Sequence, residues 1–121
     1  MIDIIKNNEK APRRLGLYIH IPFCRTKCLY CDFCSFVGRD NDERERYVDA
    51  LINEIRARAT RECLVDTVYF GGGTPSLLTV EQFSKIFNTL NKSFNIQKNI
   101  EITVECNPES VTAEKLSSMA L

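Results

Sequence analysis

The order in which strand-like and helix-like patterns alternate is what most constrains the fold of this chain. Residues 15–21 (Leu-Gly-Leu-Tyr-Ile-His-Ile) read as a strand ended by Pro22. A helix follows over about residues 42–60, because Tyr47, Val48, Leu51, Ile52 and Ile55 recur at helical spacing, with Glu54 and Arg58 as an i,i+4 pair on the wet side. Residues 65–70 are rich in β-branched and aromatic side chains and read as a second strand, broken by three glycines. Thr79 and Gln82 form a capping-box signature, and Val80, Phe83, Ile86, Phe87 and Leu90 make the next helical stripe. Residues 101–106 give a third strand closed by Asn107 and Pro108, and Thr112 caps a third helix over 113–121. This alternation predicts an α/β fold of right-handed βαβ units around a parallel sheet.

The strands carry a second message. Leu17, Ile19 and Ile21 share one face, as do Val68 and Phe70, and Ile102 and Val104. The opposite faces carry Tyr18 and His20, Thr67 and Tyr69, and Thr103 and Glu105. A parallel sheet packed under helices on both sides would be apolar on both, so the polar face is expected to line a ligand cavity. The helical pattern still runs at Leu121, and a βα barrel needs roughly 250 residues. The expectation is therefore the N-terminal half of a partial barrel, with residues 1–14 a polar N-terminal segment and 15–121 the first part of the core domain. A self-contained three-stranded domain is the alternative, at the cost of bare strand edges.

With 44% hydrophobic residues the chain can bury a core, and its 16 basic residues balance 16 acidic ones. Zero formal charge argues against a protein built around nucleic-acid phosphates or acidic lipid. No run approaches the roughly 18 apolar residues of a membrane span, and residues 1–14 lack a signal peptide's apolar stretch. A soluble, cytoplasmic protein is expected.

Four of the six cysteines, Cys24, Cys28, Cys31 and Cys34, fall within eleven residues. In a cytosolic chain such crowding points to metal binding or redox chemistry rather than to disulfides. Cys24-x-x-x-Cys28-x-x-Cys31 lets one loop wrap a compact centre with three converging thiolates. Three thiolates on a cubane leave one iron open, as a reactive site requires. Zinc bound by all four thiolates, Cys34 included, is the other reading of this spacing.

Cys24-x-x-x-Cys28-x-Tyr30-Cys31 resembles the signature of the radical S-adenosylmethionine (SAM) enzymes. The longer string from Tyr18-Ile-His-Ile-Pro-Phe-Cys24 to Cys31-Asp32-Phe33, with Gly71-Gly72-Gly73-Thr74-Pro75-Ser76 and residues 101–108, is similar to the oxygen-independent coproporphyrinogen III oxidase family and closest to its haem-chaperone branch. The resemblance runs in order from Leu15 onward. It implies a partial βα barrel of radical SAM type and a 4Fe-4S cluster held by Cys24, Cys28 and Cys31. SAM would chelate the open iron, and a reduced cluster would cleave its carbon–sulfur bond to give a 5′-deoxyadenosyl radical. The implied SAM contacts are Gly72, Gly73 and Thr74 at the methionine end, Glu105 at the ribose, and Tyr18. Cys34 lies three residues after Cys31, where the oxidases place a cysteine two after, so it receives no ligand role.

Two functions follow from the resemblance: oxidative decarboxylation of coproporphyrinogen III, or haem carriage to acceptor proteins. The missing second-position cysteine favours the chaperone. Porphyrin or haem, a reductant protein and haem-accepting proteins are the implied partners. No catalytic side chain is assigned, and half a barrel alone is expected to be inactive and to self-associate.

Overall fold

The computed structural model describes residues 2–6, 13–24, 36–37, 41–108 and 111–119. In chain order these form β1 (Ile2–Lys6), β2 (Arg14–Ile21), β3 (Phe23–Cys24), β4 (Phe36–Val37), α1 (Asn41–Ala57), β5 (Thr60–Gly72), a 3-10 turn (Pro75–Leu77), α2 (Val80–Ser93), β6 (Phe94–Val104) and α3 (Ala113–Met119). The main sheet has the order β1-β2-β5-β6. β5 pairs in parallel with both β2 and β6, as the alternating pattern requires. β3 and β4 make a separate parallel pair, Phe23 with Phe36 and Cys24 with Val37, so the stems flanking residues 25–35 lie side by side.

The period-two pattern of β2 appears directly as alternating burial, with Leu15, Leu17, Ile19 and Ile21 inside. They join Val65, Val68 and Phe70 of β5 beneath Val48, Leu51, Ile52 and Ile55 of α1 and Phe83, Ile86 and Leu90 of α2. Phe70 anchors the layer, with its ring 5.7 Å from Phe83 and 5.4 Å from Phe87. α2 starts where the sequence indicates: Thr79 accepts from the Gln82 amide at 3.1 Å, and the Gln82 side chain accepts from the Thr79 amide at 2.9 Å. Its C-terminal carbonyls receive the Arg61 guanidinium, 3.0 Å from the Lys92 oxygen. α1 and α2 are tied by Glu45, which accepts from Gln82 Nε2 at 2.8 Å and Lys85 Nζ at 3.0 Å. The Glu54–Arg58 pair forms at 3.2 Å. No helix among the described residues is long and apolar enough to cross a membrane.

Several boundaries differ from the pattern-based expectation. Helix α1 stops at Ala57, β5 begins at Thr60 and β6 begins at Phe94, immediately after α2. The early parts of β5 and β6 are irregular: the register jumps between Thr60 and Leu64 and again between Val65 and Thr67. Polar residues dominate there, so apolar alternation does not mark the strands. β1 is not among the elements that the pattern predicts within residues 1–14. It pairs antiparallel with β2, Ile2 opposite Ile19, burying Ile2 completely and covering the outer edge of β2. Ile102, expected beneath a helix, is 38% exposed, because β6 is the last strand of the sheet.

Candidate functional site

The parallel strands β2, β5 and β6 bring their carboxyl ends to one edge of the sheet, and Gly72, Gly73, Thr74 and Glu105 lie there. Just past the end of β6, the Glu105 amide donates to the Phe70 carbonyl at 3.0 Å, fixing the backbone beside β5. The Glu105 carboxylate then reaches back across β5. Its Oε1 accepts from the Tyr69 hydroxyl at 2.6 Å and its Oε2 from the Gly72 amide at 3.2 Å. Asn107, two residues on, is held by its amide donating to Ser76 Oγ at 3.2 Å.

The glycine turn is needed in two distinct ways. Gly72 has φ +111°, and a Cβ there would lie 2.6 Å from the His20 ring. Gly73 sits against the segment just after β2: a Cβ on it would be 2.5 Å from the Phe23 oxygen and 2.9 Å from Cys24 Sγ. Close approach is enforced by two hydrogen bonds, from the Gly73 amide to the Ile21 carbonyl at 2.8 Å and from the Thr74 amide to the Phe23 carbonyl at 2.6 Å. The glycine turn and the first cysteine are therefore in direct contact. Gly73, Thr74, Glu105, Cys106, Asn107 and Pro108 line a depression of about 400 Å³.

Tyr18 and His20 occupy the polar face of β2, with the Tyr18 hydroxyl and His20 Nδ1 3.2 Å apart. The Tyr18 ring stacks on Tyr69 at 5.8 Å and 20°. Partial burial raises the Tyr18 pKa, and the negative charges of Glu105 and Asp3 add to the effect. The hydrogen bond to Glu105 raises that of Tyr69. Tyr47 donates to the His20 carbonyl and packs edge-on against Phe23 at 5.3 Å. Burial, with smaller contributions from Glu54 and Tyr18, pushes its pKa up to about 12.

Gly72, Gly73, Thr74 and Glu105 thus form one group, Tyr18 joins it through Tyr69, and Cys24 abuts it at Gly73. Cys24 is a half-buried free thiol. Cys28, Cys31 and Cys34 lie outside the described residues. Among the described residues no three His, Cys, Asp or Glu side chains converge as a metal site. The residues nonetheless suit a thiolate-held group: the Cys24 thiol lies against Gly73, and the adjacent Gly72 amide donates to the Glu105 carboxylate. Tyr69 was visible in the sequence only as a polar-face residue. Its register alignment with Tyr18 and its reach to Glu105, 36 positions away, emerge only on folding.

Residues 18–120 match the Radical SAM superfamily. The chain belongs to that superfamily. Among curated proteins, this radical SAM chain is 37% identical over 99 residues to the heme chaperone HemW of Buchnera aphidicola subsp. Schizaphis graminum, covering 80% of the chain and 26% of that protein. It is 35% identical over 109 residues to the oxygen-independent coproporphyrinogen III oxidase of Salmonella typhimurium, covering 88% and 24%. Among solved structures, the coproporphyrinogen III oxidase HemN of Escherichia coli superposes with a TM-score of 0.80 at 32% identity, over 85% of this chain and 24% of that one. The radical SAM chain therefore spans about a quarter of the length of these relatives. The partial βα barrel expected from the strand order agrees with the HemN likeness. A 4Fe-4S cluster and SAM are the cofactors of the superfamily.

Proposed function

We propose that residues 15–121 supply the cluster-binding and SAM-binding part of a cytoplasmic radical SAM protein of porphyrin and haem metabolism, of the haem-chaperone kind. Cys24, Cys28 and Cys31 would hold the cluster, which when reduced and bound to SAM supplies the electron for carbon–sulfur cleavage. One juxtaposition carries this reading: Cys24 touches the Gly73 turn, and the adjacent Gly72 amide fixes Glu105. The bare backbone of Gly72 and Gly73 thus runs between the thiol and a carboxylate suited to ribose hydroxyls, which supports an amino-acid head held along that backbone. Gly72, Gly73 and Thr74 would bind the methionine end, Glu105 the ribose, and Tyr18 would flank them on the same face. The named relatives support porphyrin or haem as the larger ligand. Haem-accepting proteins and an electron-donating protein complete the proposed partners.

The likeness to HemN favours a second reading, oxidative decarboxylation of coproporphyrinogen III. The residue two after Cys31 is Phe33, not the cysteine the oxidases place there, which favours the chaperone. Haem titration followed by visible absorption, alongside product analysis with coproporphyrinogen III, reducing agent and SAM, separates the two. Stoichiometric haem binding without protoporphyrinogen formation is expected. Turnover to protoporphyrinogen would assign the oxidase instead.

A further inference from the structure

We infer that Tyr69 is a positioning residue for SAM, acting through Glu105; the inference rests on reading Glu105 as the ribose contact. An ionised carboxylate offers about four acceptor positions. In this structure one on each oxygen is already taken: Oε1 by the Tyr69 hydroxyl at 2.6 Å and Oε2 by the Gly72 amide at 3.2 Å. Each oxygen keeps an acceptor position, and two adjacent acceptors suit the two neighbouring hydroxyls of a ribose. The carboxylate is thus oriented before a ligand arrives, which removes an ordering cost from binding.

The two donors differ in kind. The Gly72 amide is fixed by the backbone, whereas Tyr69 contributes through a side chain that is itself held. Its ring stacks on Tyr18, and its backbone lies in the centre of the sheet between Tyr18 of β2 and Thr103 of β6. The Glu105 backbone is fixed by its amide on the Phe70 carbonyl, so the orientation of the carboxylate rests on its two side-chain hydrogen bonds. Without the phenol hydroxyl, Oε1 loses its only protein donor among the described residues, and the carboxylate can rotate away from the diol.

The test uses the anaerobically reconstituted protein and equilibrium dialysis with SAM and with methionine, which shares the amino-acid head but lacks ribose. Tyr69→Phe is expected to weaken SAM about five- to twentyfold, to leave methionine within about twofold, and to keep iron content and unfolding midpoint at wild-type values. Glu105→Gln should weaken SAM at least as much, and adding Tyr69→Phe to it should cost less than about twofold more. If Tyr69→Phe weakens both ligands equally, or adds its full effect on the Glu105→Gln background, Tyr69 acts on the fold and the inference falls. If Glu105→Gln weakens SAM while Tyr69→Phe does not, the inference falls and the ribose contact stands. If Glu105→Gln leaves SAM unchanged, the ribose reading fails and takes the inference with it.

Discussion

Gly73→Ala tests the contact between the glycine turn and the first cysteine. The new Cβ would sit 2.5 Å from the Phe23 oxygen and 2.8 Å from its carbonyl carbon, where ordinary contact begins near 3.4 Å. Backbone cannot swing aside as a side-chain tip can, so the Phe23–Cys24 segment must retreat by about 0.9 Å. The same movement stretches the 2.6 Å hydrogen bond from the Thr74 amide to Phe23 to about 3.5 Å, beyond useful range. Overpacking costs about 1–3 kcal/mol and the lost hydrogen bond about 1 kcal/mol, so the variant should be about 2–4 kcal/mol less stable. At a urea m-value of about 2 kcal/mol per molar, the unfolding midpoint should fall by about 1–2 M with an unchanged slope. Cys24 moves with Phe23, so iron retained after anaerobic reconstitution should also fall. The control is Ser84→Ala on the exposed side of α2, which should change neither. A Gly73→Ala protein with a midpoint within 0.2 M of wild type and full iron content would show that the turn does not press on the cysteine segment.

Thr79→Ala removes the acceptor for the Gln82 amide and should cost about 1 kcal/mol of stability in urea unfolding, while Thr79→Ser should restore most of it. Tyr47 ionises near pH 12 in the folded protein against 10.0 when exposed, because burial disfavours the phenolate. Its contribution to stability should therefore be complete below pH 10 and decline as pH rises towards 12, with Tyr47→Phe removing the component near pH 12 from the 295 nm tyrosine titration. Among the cysteines, Cys24→Ala, Cys28→Ala and Cys31→Ala should each abolish visible cluster absorption, whereas Cys34→Ala should preserve it. Equal damage from Cys34→Ala would point to four-thiolate coordination.

The parallel core of this fold was legible because its strands are buried on one face. Leu17, Ile19 and Ile21 alternate with polar residues, and the α2 stripe with its Thr79–Gln82 box leaves little freedom in where that helix begins. The irregular beginnings of β5 and β6 were not legible, since Arg61, Glu62, Gln97 and Lys98 carry no alternating apolar signal. β1 is itself apolar, with Ile2, Ile4 and Ile5, but it sits within residues 1–14, a stretch that is polar as a whole, and its pairing partner is the edge of β2. At the site, the glycine run and Glu105 stood out by residue type and position. Local sequence could not reveal that Gly73 is indispensable because Phe23 passes within van der Waals distance, or that Tyr69 is the donor to Glu105. Both depend on strands separated by dozens of residues meeting in a particular register.

The most direct measurement is low-temperature EPR of the dithionite-reduced protein after anaerobic reconstitution with iron and sulfide, recorded with and without SAM. A brown protein with about four irons per chain is expected, whose reduced-cluster signal shifts when SAM is added and is absent from Cys24→Ala. A colourless protein carrying stoichiometric zinc, with no spectral response to SAM, would contradict it.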